Sequence, residues 1–336
     1  MKISSVFGLA ALACLPLHAD DEASLLRSGD RVALIGNTLI ERARLYGHVE
    51  AALQVAAGPD AGHVTIRNLG WSGDSVFGDS RSYFGPPQEG RDRLDSVVSE
   101  CQPSVAMLCY GTEAAMSVDR GWTEEKSAAE RSAGGLEESL ALFTEGYQDL
   151  VDRIRKAAGD SLREIVLISP PPLENLGDPL PDQVENNRNL AAFRDAIRDL
   201  AEKNGTRFVD LFAALGGDES DGAVADPPLT TNGLHYGEEG YRVLARELLE
   251  GLGYDKADET TFDRPEIEAL RAAIVEKNRL FFHRWRPANE TYLFLFRKHE
   301  QGQNAKEIPM FDPLVEKQDQ RISAARKRVY DSNIKN

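Results

Sequence analysis

Cysteine is scarce in this chain, which has three, at positions 14, 101 and 109. No cysteines and histidines have the spacing of a zinc site, so the sequence predicts no structural metal and no other cofactor. Cys101 precedes and Cys109 ends a segment predicted to be extended, which would hold their sulfurs beyond disulfide distance. We therefore expect two buried free thiols after removal of the N-terminal segment.

Positive charge is also scarce. The chain carries 39 Lys and Arg against 55 Asp and Glu, a formal net charge of −16. Binding of nucleic acid or anionic lipid requires a protein surface that neutralises phosphates. The composition therefore predicts no nucleic-acid partner and indicates a solvated acidic surface.

Long apolar runs are absent after the first residues of the chain. Lys2, the apolar stretch Val6–Leu17 and the small residue Ala19 are typical of a signal peptide over residues 1–19. A lipoprotein signal with Cys14 as the modified residue is the alternative, but the preceding residues fit it poorly. We expect a periplasmic or secreted protein that does not insert into a membrane after signal cleavage.

Five short apolar runs alternate with longer segments of helical periodicity. The runs are Val32–Ile35, Val64–Leu69, Val105–Cys109, Ile165–Ile168 and Arg207–Asp210. Helices are expected over Ile40–Ala52, Leu136–Ala158, Asn189–Asn204 and Tyr241–Leu252. This alternation predicts an α/β fold, a three-layer α/β/α sandwich around a parallel, doubly wound, five-stranded sheet.

The pattern changes beyond about Asp255. We expect a main domain over residues 20–255 and a mostly helical C-terminal extension over 256–336 that packs on it. Helices are predicted over Pro265–Phe282 and Leu314–Val329. Between them, Ile308–Pro313 is predicted to be extended.

Four segments follow predicted strands or precede a predicted helix, where open parallel sheets bind their ligands. They read Gly36-Asn37-Thr38-Leu39, Asn68-Leu69-Gly70-Trp71-Ser72-Gly73-Asp74-Ser75, Tyr110-Gly111-Thr112-Glu113 and Asn232-Gly233-Leu234-His235. In order and placement, over about Asp30 to Leu252, they resemble the four sequence blocks of the SGNH (GDSL-type) hydrolases, which have a flavodoxin-like fold.

The resemblance implies an ester hydrolase. In that superfamily a serine of the first block attacks the acyl carbon, a histidine takes its proton, and an aspartate three residues earlier orients the histidine. Backbone N–H groups and an asparagine of the third block bind the oxyanion. Carried over to this chain, the resemblance places Thr38 at the nucleophile position, His235 as the base and Gly73 as an oxyanion donor.

Three positions depart from the family pattern. The extra methyl group of Thr38 crowds the nucleophile. Asn232, in place of the aspartate, can accept a hydrogen bond from the imidazole but cannot stabilise an imidazolium by charge. Glu113, in place of the asparagine, only accepts hydrogen bonds when ionised and would repel an oxyanion. The resemblance therefore implies weak acyl hydrolysis.

Other residues compete for functional roles. Ser72 and Ser75 are alternative nucleophiles, although hydroxyls of such turns more often cap a loop or helix. Asn37 and Asp74 are candidate substrate-binding residues. The extension is rich in donors and aromatic rings, so Arg286 and Arg297 could bind an anionic sugar. Alternatively, these aromatics pack on the main domain and the arginines pair with the acidic surface.

Three functions remain open at this point. The first is an exported SGNH-type ester hydrolase acting on a small molecule or glycan ester. The second is a catalytically degenerate SGNH domain that binds a glycan or a protein partner. In the third, Glu113 and His235 activate water without an acyl-enzyme.

Overall fold

The computed structural model describes residues 25–59, 61–118, 135–219, 225–254 and 263–333. The predicted signal peptide over residues 1–19 and the expected domain boundary at 255–256 lie outside these residues. Among the described helices, none is long and apolar enough to cross a membrane.

A five-stranded parallel sheet forms the centre of the molecule. Its strands are β1 (Arg31–Gly36), β2 (Thr65–Asn68), β3 (Val105–Cys109), β4 (Glu164–Ile168) and β5 (Arg207–Val209). They are arranged in the order β2-β1-β3-β4-β5, and every neighbouring pair is parallel. This topology confirms the fold class predicted from the sequence.

Helices cover both faces of the sheet. They are α1 (Thr38–Tyr46), α2 (His48–Ala56), α3 (Pro87–Cys101), α4 (Thr112–Met116), α5 (Leu136–Ala158), α6 (Val184–Asn204), α7 (Leu211–Ala214) and α8 (Glu238–Gly251). The single helix predicted over Ile40–Ala52 is wrong, because Gly47 adopts a left-handed conformation with φ 73° and separates α1 from α2. Helix α3 was not expected from the sequence.

Alternate residues of β1 enter two separate hydrophobic clusters. Val32 and Leu34 pack with side chains of α1, α2 and α8. Ala33 and Ile35 pack on the opposite face with side chains of α3, α5 and α6. Burial on both faces explains why the strands read as nearly continuous apolar runs.

The C-terminal extension is helical. It contains α9 (Pro265–Trp285), α10 (Glu290–Leu293), α11 (Lys298–Gln301), a 3₁₀ segment (Gly302–Phe311) and α12 (Asp312–Asn333). The expectation that Ile308–Pro313 is extended is wrong. Its first residues belong to the 3₁₀ segment, whose φ angles suit the fixed ring of Pro309, and α12 begins at Asp312.

The extension packs against the edge strand β2. The Lys277 ammonium donates to the Ile66 carbonyl at 2.8 Å. Arg67 of the strand forms a two-pronged ion pair with Asp319 of α12, with nitrogen–oxygen distances of 3.1 and 2.6 Å. These contacts cover an edge that would otherwise expose unpaired backbone groups.

Cys101 and Cys109 are free thiols, as the sequence predicted, but only Cys109 is fully buried and Cys101 is partly exposed. Burial raises the pKa of the Cys101 thiol to about 11 and that of the Cys109 thiol to about 12. Both cysteines are therefore protonated near neutral pH and unreactive as nucleophiles.

Candidate functional site

A pocket of about 250 Å³ lies at the carboxyl ends of the strands. Segments that follow β1, β2, β3 and β4, together with the turn before α8, contribute to its lining. Of the residues predicted to be catalytic, Thr38, Gly73, Glu113 and His235 all line this pocket. The parallel topology brings these four distant sequence positions together.

Thr38 is the first residue of α1. The preceding residue, Asn37, caps the helix, since its side-chain oxygen accepts a hydrogen bond from the Leu39 N–H at 3.2 Å. The Thr38 hydroxyl oxygen accepts a hydrogen bond from the Gly73 N–H at 3.1 Å. The nucleophile position and the second-block N–H are therefore adjacent, as attack on a carbonyl bound by that N–H would require. Asn37 also lines the pocket.

The turn after β2 is held in place by a buried ion pair. Asp74 accepts a hydrogen bond from Arg81 Nε at 2.6 Å and another from the Tyr110 hydroxyl at 2.9 Å. Asp74 and Arg81 are fully buried, and neither lines the pocket. The structure therefore places Asp74, expected from the sequence to bind substrate, where it supports the turn that carries Gly73.

Neither alternative serine lies in the pocket lining. The buried Ser75 hydroxyl donates to Asp79 and accepts from the Phe77 N–H at 3.1 Å, so it stabilises the local turn. Ser72 is exposed, and its backbone N–H donates to Glu41 at 2.7 Å.

Asn232 controls the chemistry of His235. Its side-chain oxygen accepts the backbone N–H groups of Leu234 at 3.2 Å and His235 at 2.8 Å. These two donors fix which side of the amide carries the oxygen, so Nδ2 faces the imidazole and lies 3.1 Å from His235 Nδ1. The amide therefore donates to the imidazole, the reverse of the direction expected from the sequence.

This hydrogen bond selects the imidazole tautomer. Because Nδ1 accepts from Asn232, the proton of the neutral ring lies on Nε2. A general base for the Thr38 hydroxyl would need Nε2 to accept a proton instead. No hydrogen bond joins His235 and Thr38, both of which are described, so the two groups line the same pocket without being bonded to each other.

His235 lies in an environment that disfavours its charged form. Burial lowers the pKa of the imidazole below its usual value of 6.5, and the positive charge of Arg42 lowers it further. Arg42 lies on α1 and lines the same pocket. The imidazole is consequently neutral at physiological pH.

Glu113 lies near the start of α4, on the β3 side of the pocket. Its carboxylate accepts a hydrogen bond from the Ser117 hydroxyl at 3.3 Å. Within the described part of the chain, no hydrogen bond or ion pair joins Glu113 to His235 or to Arg42. The Glu113 carboxylate and the His235 imidazole, the two groups required for water activation, therefore line one pocket without a hydrogen bond between them.

Glu174, which the sequence analysis did not single out, anchors the turn that carries His235. Its carboxylate accepts the N–H groups of Leu229 at 2.9 Å and Thr230 at 2.6 Å, as well as the Thr230 hydroxyl at 2.5 Å. Its backbone N–H donates to Gly233 at 2.9 Å. The only signal in the sequence was an acidic residue placed shortly after a strand.

The extension arginines expected to bind substrate lie outside the pocket lining. Arg286 pairs with Glu41 at 2.6 Å, and its guanidinium lies 3.6 Å from the centre of the Trp71 ring. Arg297 pairs with Glu300 at 2.6 Å and lies 4.3 Å from the centre of the Tyr292 ring. Each arginine therefore pairs with a carboxylate and lies over an aromatic ring, as in the alternative interpretation of the sequence, in which these residues support packing rather than substrate binding.

Solved structures similar to this chain include those of two enzymes. A catalytic mutant of the acetylxylan esterase Axe2 from Geobacillus stearothermophilus matches 69% of this chain and 98% of its own length, with 20% identity and a TM-score of 0.50. A gut microbial diltiazem-metabolizing enzyme matches 68% of this chain and 48% of its own, with 18% identity and a TM-score of 0.49. No curated protein matches the sequence.

A family model settles the relationship that the four sequence blocks indicated. The model of the GDSL-like lipase/acylhydrolase family matches residues 34–243, which include the end of β1, the pocket residues and the turn that carries His235. This span is more than half of the chain. On that match, the chain belongs to the GDSL-like lipase/acylhydrolase family.

Proposed function

We propose that the protein is a slow ester hydrolase that acts on a small molecule or a glycan ester. The observation that carries this proposal is the 3.1 Å contact between Thr38 Oγ1 and the Gly73 N–H in the pocket lined by His235. Membership of an acylhydrolase family supports ester hydrolysis. The acetylxylan esterase among the similar structures motivates acetylated sugars as the first substrates to assay.

The proposed reaction uses groups that already line the pocket. A substrate carbonyl oxygen would replace the Thr38 hydroxyl as the acceptor of the Gly73 N–H. Thr38 Oγ1 would then attack the carbonyl carbon and give its proton to His235, which returns it to the leaving alcohol. Water, activated by the same histidine, would hydrolyse the resulting acyl-enzyme.

The tautomer set by Asn232 explains why the reaction should be slow. His235 must give up the Nε2 proton and take one on Nδ1, against the Asn232 amide, before it can act as a base. In the serine-protease template, the same replacement of aspartate by asparagine lowers kcat about 10⁴-fold. A catalytically degenerate binding domain is the second candidate, and the orientation of the Asn232 amide favours it.

Five variants, Glu113→Gln and the four that follow, test these alternatives on 4-nitrophenyl acetate and acetylated sugars. We expect Thr38→Ala and His235→Ala to abolish turnover and Asn232→Asp to raise kcat by at least about tenfold, since a carboxylate would accept Nδ1–H. Ser72→Ala, which changes an exposed hydroxyl in the neighbouring block, should retain the wild-type rate.

Other results would overturn the proposal. Equal rates for Thr38→Ala and the wild type would exclude Thr38 as the nucleophile. If Glu113→Gln abolished turnover while Thr38→Ala retained it, water activation by Glu113 and His235 would replace the proposed mechanism. Absence of turnover in the wild type, together with activity in Asn232→Asp, would identify a degenerate domain.

A further inference from the structure

Arg42 lies one helical turn after Thr38 on α1 and faces the same pocket. Its side chain is partly buried. The walls near it are largely apolar, with Leu39, Met116 and Leu173 among them. A guanidinium in such a position is a strong point of recognition for any ligand that enters.

The Arg42 guanidinium has no partner in the described part of the chain. It makes no hydrogen bond or ion pair there, and its Nε is buried without an acceptor. Arg44 Nε is buried without an acceptor as well, but the Arg44 guanidinium lies 3.7 Å from the centre of the Phe282 ring, and Arg286 pairs with Glu41. A buried donor without an acceptor is rare and calls for a ligand or another explanation.

Further donors face the pocket beside Arg42. With Nδ1 bound to Asn232, the neutral His235 ring carries its hydrogen on Nε2, which makes no hydrogen bond to a described residue. The Gly73 N–H and the Thr38 hydroxyl, which bond each other at 3.1 Å, line the same pocket where the ester carbonyl would bind. A cation with donors on its own side of a pocket is the arrangement that binds a carboxylate or sulfate. The Glu113 carboxylate lines the same pocket from the β3 side and would repel an anion that reached it, so the site favours an anion held on the Arg42 side.

We propose that Arg42 selects esters whose sugar or acyl part carries an anionic group close to the ester bond. This group is a carboxylate or a sulfate. This inference rests on the proposed ester hydrolysis and names the substrate class of that site. Acylated uronic acids and acylated sulfated sugars are the two sources of such an anion.

The anion would also assist catalysis. Arg42 acts electrostatically on His235, and Asn232 provides no negative charge to balance an imidazolium. A substrate anion paired with Arg42 would neutralise the guanidinium at the moment when His235 takes up the nucleophile's proton. The substrate would thereby supply part of the charge that the family's aspartate supplies elsewhere.

The test compares acetylated methyl glucoside, acetylated methyl glucuronoside and acetylated methyl glucoside sulfate. We expect kcat/KM of the wild type to be about tenfold or more higher for at least one anionic ester than for the neutral one. Arg42→Gln should lose this preference and Arg42→Lys should keep part of it, since lysine retains the charge but not the planar fork.

Arg188→Gln provides the control, because it removes the same charge from an exposed site on α6. It should keep the full preference. Comparison of the acetylated methyl glucuronoside with the acetylated methyl glucoside sulfate shows whether the preferred anionic group is a carboxylate or a sulfate. Equal rates on the neutral and both anionic esters, or an unchanged preference in Arg42→Gln, would overturn the inference while leaving ester hydrolysis intact.

Binding separates this inference from the proposed function. Calorimetric titration with unacetylated methyl glucuronoside and methyl glucoside sulfate needs no turnover. Binding that is lost in Arg42→Gln, in a protein that hydrolyses none of the esters, would support the anion site and refute the hydrolase. Absence of both binding and hydrolysis would refute both.

Discussion

At position 232, the exchange of a carboxylate for an amide changes which imidazole nitrogen carries the proton. An aspartate could accept from the two backbone N–H groups and from Nδ1–H at once. Asn232 uses its oxygen for the backbone and can only donate to His235 Nδ1. One atom therefore decides whether His235 faces the pocket as a base or as a donor.

The charge of Arg42 gives a prediction for His235. Burial and Arg42 both lower the pKa of the imidazole, so its protonation midpoint should lie below pH 6.5. In Arg42→Gln the repulsion is removed and the midpoint should rise toward 6.5, which extends the charged form to higher pH. Titration of the His235 ring protons by NMR in the wild type and in Arg42→Gln measures this shift. An unchanged midpoint would contradict the assigned proximity of the two groups.

At the scale of elements, the turns that carry Gly73 and His235 depend on buried carboxylates behind them. Asp74 and Arg81 support the turn after β2, and Glu174 supports the turn before α8. Both carboxylates lie outside the pocket lining. Their function is to hold backbone N–H groups and side chains so that Gly73 and His235 stay in place.

Removal of the Glu174 carboxylate should loosen the His235 turn. Glu174→Ala leaves the Thr230 N–H and hydroxyl and the Leu229 N–H without this acceptor, so we expect a loss of roughly 1–3 kcal/mol in the free energy of unfolding. The kcat for an ester should fall as well. Urea denaturation and ester assays check both effects, and Glu185→Ala, at an exposed carboxylate, should change neither. Wild-type stability in Glu174→Ala would refute its anchoring role.

At the scale of the whole molecule, the extension is joined to the main domain through a buried polar network. The Lys277 ammonium donates to Glu50 at 2.6 Å and to Asn278 at 2.7 Å, and the Asn278 amide donates to Glu50 at 2.6 Å. Lys277 is 1% exposed and Glu50 3%. Burial lowers the pKa of the Lys277 ammonium, and the Glu50 carboxylate opposes this effect. The two charges depend on each other for compensation.

Breaking this network should destabilise the whole molecule. Lys277→Met leaves the buried Glu50 without its cation, which we expect to cost roughly 3–5 kcal/mol of unfolding free energy. Arg279→Ala on the same helix removes an exposed ion pair with Glu276 and should cost less than about 1 kcal/mol. Chemical denaturation followed by circular dichroism compares the two variants. Similar stabilities would show that the network contributes little to attachment of the extension.

The sequence indicated much of the site because its signals are local. Apolar runs closed by glycine located β1 and its turn, and the order of four short blocks placed Thr38, Gly73, Glu113 and His235 at one edge of the sheet. A parallel sheet gathers such segments whatever their separation along the chain. The break at Gly47 was missed, because the apolar periodicity continues across it while only the backbone changes direction.

By itself, the sequence determined the α/β fold, the order of its strands along the chain and the presence of Thr38, Gly73, Glu113 and His235 in one pocket. Only the tertiary structure decided how those groups are used. The tautomer of His235 depends on the backbone N–H groups that already bond the Asn232 side-chain oxygen. The role of Asp74 depends on its burial beside Arg81. The availability of Arg42 depends on the lack of an acidic partner among its described neighbours. Each of these is set by distances between residues remote in sequence or by the atoms already bound, which residue types and spacing do not specify.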